Sequence, residues 1–479
     1  MTSSTDESRQ AARRRPSVPR ALAAGAIGNF IEWYEFGVYA YFATVIAADF
    51  FTPHGGGAAE ALVKTYASFA LAFFFRPVGA FLLGRAGDRF GRRPVLLAAV
   101  TTMSCATALI GVLPTYAMVG AAAPWLLTAL RIVQGLSAGG EFGGAVALMT
   151  ESAPPGKRGR YGAWQSLTVA FGLLAGAAAA TLVTTLLTTP HVTSWGWRLP
   201  FLAALPMGAT ALWLRLRLEE SPAFRRSQQP RRQEPATPGK DAAPPPPTTR
   251  QPRTPAQPQT QTPWAVIVGC GRLMAWAAAG YTFLVVLPSY LQSTVGASPQ
   301  QALLATVIAN LGFAATILPA GALSDRLGRR TVMVTGAILI AVSALPLLHV
   351  VQDRHSPVWL AYGSVALAGA LVGLLAGPGP AMLAEMFPTA VRHTGLGLAY
   401  ALANAVFSGC AGLLVTELIR RTGDPDVPAY YVMVTCGLGA LALATLRPDT
   451  HHRTLHEDHP PSTDLHSPSH NHPTTPNTP

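Results

Sequence analysis

Two carboxylates and three arginines stand where a chain of this composition can least accommodate charge. Glu32 and Glu35 are three residues apart in an apolar stretch, so on a helix they share one face. Arg131 lies in a second such stretch, and Arg76 and Arg272 lie in two more. A guanidinium holds a buried carboxylate ionised, and the acid takes up a proton when that partner withdraws and desolvation prevails. An acid–arginine pair therefore binds and releases protons with no cofactor and no metal. We assign proton coupling to Glu32, Glu35 and Arg131, the alternative being a static ion pair that fixes helix packing. Arg76 and Arg272 can hold a substrate carboxylate, or else reach to the membrane interface or pair with Glu141. Gln165, Tyr281 and Asn404, with Trp164 and Tyr290, can line a polar cavity or simply pack.

The elements that must position these groups are membrane spans. Of 479 residues only 12% are charged, where a soluble domain carries about 25%, while 50% are hydrophobic before 45 glycines are added. Mean hydropathy is +0.30. The net charge of +12 comes without a basic stripe interleaved with aromatics, which excludes nucleic acid as a partner and leaves the lipid bilayer. A span needs about 20 apolar residues, and candidates fall near 21–45, 61–83, 94–113, 124–150, 161–187 and 198–216, then 264–290, 300–323, 331–350, 357–382, 393–419 and 428–446. The expected fold is an all-α polytopic membrane protein of twelve transmembrane helices in two pseudo-symmetric six-helix bundles. Its parts are an N-terminal tail (1–20), a first bundle (21–216), a Pro-rich linker (217–263), a second bundle (264–446) and a His/Pro-rich tail (447–479) expected to be disordered.

Counting about 1.5 Å per residue from a boundary near Arg20 puts Glu32 and Glu35 roughly 18 and 22 Å into a core about 30 Å thick; Arg131 lies roughly 10 Å from the opposite boundary, at a matching depth. Arg76 and Arg272 fall at about 8 and 12 Å. The arginine-rich loops follow even-numbered spans, so both termini are expected on the cytoplasmic side. Cys105, Cys270, Cys410 and Cys436 are isolated within apolar runs and read as core residues. The first apolar segment is too long, and too charged at Glu32 and Glu35, for a cleaved signal peptide.

Two loops are copies of one another. Gly84, Asp88, Arg89, Gly91 and Arg92 recur as Gly321, Asp325, Arg326, Gly328 and Arg329, an offset of 237 residues, and Glu151-x-x-Pro154-x-x-x-Arg158 recurs as Glu385-x-x-Pro388-x-x-x-Arg392, an offset of 234. Two motifs repeating at nearly one offset make the halves structural duplicates, as in carriers that rock two bundles about a central site. Glycines allow a tight reversal, an aspartate suits a helix N-terminus, and arginines can fork onto carboxylates such as Glu151 and Glu385. The set, with Glu141, reads as a cytoplasmic latch; bare positive-inside charge would explain the arginines but not the duplication.

The G-x-x-x-D-R-x-G-R-R loops resemble the signature loop of the major facilitator superfamily, and Arg131, Gly135 and Gly139 match its fourth-helix motif. The segments Gly28–Gly37, Phe75–Gly79, Gln134–Glu141 and Trp195–Phe201 are similar to the metabolite:proton symporters, with the resemblance running from about residue 20 to 446. It implies a symporter in the cell membrane that imports a small polar solute with protons by alternating access, functional as a monomer. The expected solute is a carboxylate such as 2-oxoglutarate or citrate, since residues 384–404 look most like the 2-oxoglutarate permeases, or a zwitterionic osmolyte such as proline or betaine. The resemblance also associates the first-helix acid and the fourth-helix arginine with proton coupling. Glu35 stands where that family usually has Asp, and the linker is longer than usual.

Other classes fit less well. There is no G-x-x-x-x-G-K-[ST] loop, H-E-x-x-H helix or G-x-S-x-G elbow, so no catalytic constellation is present and an enzyme is not expected. A drug:proton antiporter would carry a G-x-x-x-G-P-x-x-G-G pattern on the fifth helix, where Gly172 and Gly176 are instead followed by alanines. A membrane sensor that binds a metabolite without moving it has only the long polar segments in its favour. The tail shows no heptads, which argues against coiled-coil osmosensing.

Overall fold

A computed structural model describes residues 18–52, 57–90, 92–139, 141–154, 156–216, 261–388 and 391–446. Within helices, the side chains of 18–25, Gly84, Gly87, Asp88, Arg92, Arg93, Glu141, Leu148, Arg215, Gln261, Thr262 and His393 lie outside the described set. So do Gly91, the linker 217–260 and the tail 447–479, and with them the expectations placed on those residues.

Among the described residues the secondary structure is helical, with no strand. The first half holds α1 (Val18–Tyr41), α2 (Ala43–Phe51), α3 (Ala58–Phe90), α4 (Arg92–Val112), α5 (Ala122–Ala138), α6 (Glu141–Glu151), α7 (Arg158–Leu186) and α8 (Ala204–Leu216). The second holds α9 (Gln261–Tyr281), α10 (Pro299–Leu327), α11 (Arg329–Gln352), α12 (Val358–Ala376), α13 (Gly379–Glu385), α14 (Arg392–Ala403), α15 (Cys410–Thr422) and α16 (Val427–Ala444). Nine described helical stretches are long and apolar enough to cross a membrane. The other three expected spans are helical too, but each is divided: α1 from α2 at Phe42, α5 from α6 after Ala138, and the short helix Arg198–Leu202 from α8 at Ala203.

Local chemistry sets several boundaries. Ser298 accepts from the Gln301 N–H while the Gln301 side chain accepts from the Ser298 N–H, a reciprocal cap with Pro299 behind it that starts α10. Gly328, with φ at +88°, turns the chain from α10 into α11, a conformation that L side chains resist.

The halves meet along seams where α7 packs on α10 and α3 on α15. Large apolar side chains such as Phe74, Phe81, Leu182, Leu186, Leu438 and Leu441 face outward, and the polar groups are turned inward. Trp125, Trp195 and Trp359 at one end and Trp213 and Trp264 at the other are also exposed, as expected of rings at two lipid–water boundaries.

Candidate functional site

The charged groups converge on the middle of the first half. α1 carries Glu32 and Glu35 one helical turn apart, and α3 and α5 bring Arg76 and Arg131 to the same helix; all four are buried, Glu35 and Arg131 completely. Arg76 Nη2 stands 3.0 Å from Glu32 Oε1, and its guanidinium lies over the rings of Phe36 and Phe73 at 4.4 and 4.3 Å. Arg131 lies over Tyr39, Phe36 and Phe69 at 4.2 to 4.8 Å. These ring faces supply part of the stabilisation that water would give each cation. With both acids ionised, the quartet is formally neutral.

The expected direct pairing of Arg131 with a first-helix carboxylate is corrected by the geometry. Arg131 Nη1 donates to Gln134 Oε1 (2.7 Å), Gln134 Nε2 donates to Thr107 Oγ1 (2.6 Å), and Thr107 donates to Glu35 Oε2 (2.6 Å). Ser104 donates to the other Glu35 oxygen at 2.9 Å. Depth counting placed Arg131 and Glu35 at one level but could not see that α4 puts two hydroxyls between them. The cue was present in sequence, since Ser104 and Thr107 sit three apart on an otherwise apolar helix and so share a face. Arg131 Nε and Nη2 and Arg76 Nε carry no hydrogen bond.

Beside this centre lies a narrow cavity of about 30 Å³, room for about two water molecules. Its walls combine Trp33 from α1 with Trp276, Tyr281, Tyr400 and Asn404 from the second half. Tyr281 precedes the π-helical turn Thr282–Val286 and Asn404 begins a second, Asn404–Gly409, a distortion frequent where a helix serves a site. The Tyr281 hydroxyl is buried without a partner. No arginine lines the cavity. Arg272, expected to hold substrate, instead donates to Thr445 Oγ1 at the end of α16 (2.9 Å), the correction being that its helix face turns from the centre. Gln165 is buried beside Asn29, which donates to its carbonyl, and is not among the lining residues. Trp164 faces outward, and Tyr290 donates to the Pro425 carbonyl at the end opposite the arginine-rich loops.

The second-half loop and the paired Glu/Arg motifs bridge the seam at one end. Asp325 accepts the backbone N–H groups of Gly159 (2.8 Å) and Arg160 (2.9 Å), so an aspartate of the second half caps helix α7 of the first. Arg329 ties Asp325 (2.7 Å) to Glu385 (3.2 Å), and Arg392 crosses the seam to Glu151 at 2.8 Å. A Cβ on Gly321 would stand 2.7 Å from the Gly159 carbonyl oxygen, which is why α7 and α10 approach so closely there. Arg158 is half-buried near Glu385, while Arg89 and Arg326 are exposed.

The opposite end is closed by neutral groups. Tyr66 and Ser289 hydroxyls meet at 2.5 Å, Tyr41 donates to the Leu284 carbonyl, Thr44 to Gln292, and Gln300 to the Thr184 carbonyl, every pair crossing the seam. Contacts across the seam therefore lie on both sides of the cavity.

Comparison with known proteins agrees with this architecture. Residues 21–459 match the family described as "Sugar (and other) transporter". The chain is 30% identical over 447 residues to the proline/betaine transporter of Salmonella typhimurium, covering 93% of this chain and 86% of that one. It is 31% identical to the citrate-proton symporter of Salmonella typhi, covering 91% and 97%. Among solved structures, the D-xylose-proton symporter superposes with a TM-score of 0.70 at 19% identity, over 92% of this chain and all of that one.

Proposed function

The chain belongs to the sugar (and other) transporter family of the major facilitator superfamily, multi-pass membrane carriers rather than enzymes, and on that premise we propose that it is a proton-coupled symporter of a small zwitterionic solute. The observation that carries this reading is the neutral buried quartet Glu32, Glu35, Arg76 and Arg131 beside an aromatic cavity. Protonating Glu35 leaves the quartet with one net positive charge, which draws the carboxylate end of a solute toward the quartet side of the cavity, where the Tyr281 hydroxyl is free. Trp33, Trp276 and Tyr400 present ring faces to a quaternary or secondary ammonium at the other end. Solute and proton thus favour each other's binding, and both leave when the arginine-rich end opens. The relatives named for proline, betaine and ectoine belong to that zwitterion class.

A carboxylate such as citrate or 2-oxoglutarate is the second reading. The unbonded Nε and Nη2 of Arg131 favour it, as does the citrate-proton symporter among the relatives. Against it, Arg76 is already paired and Arg272 is turned away. We place the carrier in the plasma membrane, acting as a monomer, with the arginine-rich end and both termini cytoplasmic. Asp88 and its neighbours would form the first-half copy of the latch.

Proteoliposomes under an imposed inward proton gradient test the proposal with labelled betaine, proline, citrate and 2-oxoglutarate. Accumulation of a zwitterion that collapses with the gradient is expected, with Glu35→Gln abolishing accumulation but retaining solute exchange, which needs no proton cycling. Gradient-independent accumulation, efflux of a lipophilic cation, or saturable binding with no accumulation of any solute would refute it.

A further inference from the structure

The chain of side chains between Arg131 and Glu35 has a forced direction. A guanidinium has donors only. Arg131 Nη1 therefore requires the oxygen of Gln134, which turns the Gln134 amide nitrogen to Thr107, so that the Thr107 oxygen must accept. The single hydroxyl proton of Thr107 is left to choose between two acceptors that the structure holds within reach: Glu35 Oε2 at 2.6 Å and the Met103 carbonyl at 3.0 Å. We propose that Thr107 is a two-position proton-state rotor for Glu35, donating to the carboxylate when it is ionised and to the Met103 carbonyl when it is protonated.

Both positions satisfy every group in the chain. With Glu35 ionised, the hydroxyl points at Oε2, and Ser104 serves Oε1. With Glu35 protonated, its new O–H points at the Thr107 oxygen, which has a second lone pair beside the one taken by Gln134, and the Thr107 proton swings to Met103. Neither the Gln134 amide nor Arg131 has to move. A buried acid normally changes charge at the cost of stranding a donor or an acceptor, and the rotor removes that cost. Thr107 is a positioning residue: it acts through Glu35, and no solute contact is required of it. The charged and titratable groups facing Glu35 are Glu32 and Tyr34 on its own helix and Arg131 on α5; the Tyr34 hydroxyl donates to the Pro200 carbonyl rather than to the acid, and neither of the others carries a hydroxyl, so none can exchange acceptors in this way.

The inference rests on Glu35 carrying the coupled proton, and the experiment separates the two. Initial uptake of the transported zwitterion is measured against external pH for the wild type, Thr107→Val, Thr107→Ser and Glu35→Gln, with solute exchange at constant pH in the same vesicles. Thr107→Val keeps the shape but removes the donor from the ionised carboxylate. Half-maximal uptake should move to higher pH by roughly one unit, the size expected when a hydrogen bond to a charge is lost, with exchange retained; Thr107→Ser should restore the wild-type profile. If Glu35→Gln still accumulates solute, the proton assignment itself fails. If Glu35→Gln is uncoupled but the valine profile superimposes on wild type, or the serine variant shifts as far as valine, the rotor is wrong. Loss of exchange in both Thr107 variants would also overturn it, by making the residue structural.

Discussion

Replacing Asp325 by asparagine should loosen the arginine-rich end without touching the buried centre. The carboxylate accepts two N–H groups at the first turn of α7, at 2.8 and 2.9 Å, and binds Arg329 at 2.7 Å. Asparagine keeps one acceptor, presents an N–H₂ to a backbone donor, and removes the negative charge from a helix N-terminus. A hydrogen bond to a charged group contributes about 1.5–3 kcal/mol, and the charge at the helix end about 0.3–1 kcal/mol. Part is recovered by the remaining amide oxygen and by solvation of Arg329, so roughly 2 kcal/mol is the working figure, about thirty-fold in the closed-to-open ratio. Ser166 reports that ratio: its side chain is fully buried at the seam and donates to the Ala376 carbonyl at 2.6 Å. In a background lacking the four native cysteines, Ser166→Cys should label slowly with a membrane-impermeant maleimide applied to the arginine-rich face, and roughly thirty times faster once Asp325→Asn is added. Equal labelling rates, with unchanged uptake, would show that the cap does not govern opening.

Arg131→Lys keeps the charge but loses the planar fork, and should retain partial uptake with a displaced pH optimum, whereas Arg131→Ala should lose its dependence on the gradient; superimposable pH profiles would reduce Arg131 to a packing residue. At the opposite end, burial alone would push the Asp426 carboxyl up, but hydrogen bonds from His349 (3.1 Å) and Gln352 (3.0 Å) prevail and hold it below the usual carboxylate range. A depressed value contributes stability above the unfolded value of about 3.9 and loses it as pH falls through the folded one. The gap in thermal midpoint between wild type and Asp426→Asn should therefore be present at about pH 6 and narrow progressively as pH falls below the unfolded value of about 3.9, and a gap independent of pH across that range would contradict the assignment.

What could be read from sequence followed from periodicity and repetition. Long apolar runs announce the helices, and the second G-x-x-x-D-R-x-G-R-R loop, with Asp325 and Arg329, marks one cluster of contacts across the seam. What could not be read depended on azimuth. Depth along a span follows from residue counting, but which way Arg131 and Arg272 point depends on how neighbouring helices rotate, and these have nearly uniform apolar surfaces. Hence residue counting puts Arg131 level with the first-helix acids but does not reveal Thr107 and Gln134 between it and Glu35, nor that Arg272, a candidate for substrate or for the interface, turns to Thr445. The aromatic walls were illegible for a related reason: Trp33, Trp276 and Tyr400 come from helices far apart in sequence, and a tryptophan in an apolar run is ordinarily packing. Tyr281 and Asn404 were named as lining candidates, but the π-helical turns beside them leave no mark in composition.

The two closures differ in chemistry, and the difference bears on how a carrier of this kind can be driven. The arginine-rich end is held by ion pairs and a charged helix cap, directional contacts whose partners must be separated and solvated before the seam can part. The other end is held by hydroxyls, amides and close aromatic packing, such as Tyr66 against Gly412, which exchange readily for water. On the proposed reading, the neutral closure is the one expected to part more readily, admitting solute and proton from that side. The ionic closure must then be opened by something that changes when both are bound. Protonation of Glu35 qualifies, because it alters the charge balance among α1, α3 and α5, and α1 packs along α7, the helix whose first turn Asp325 caps. On the proposed reading, coupling would run through the α1–α7 contact, and the latch need not sense the proton directly.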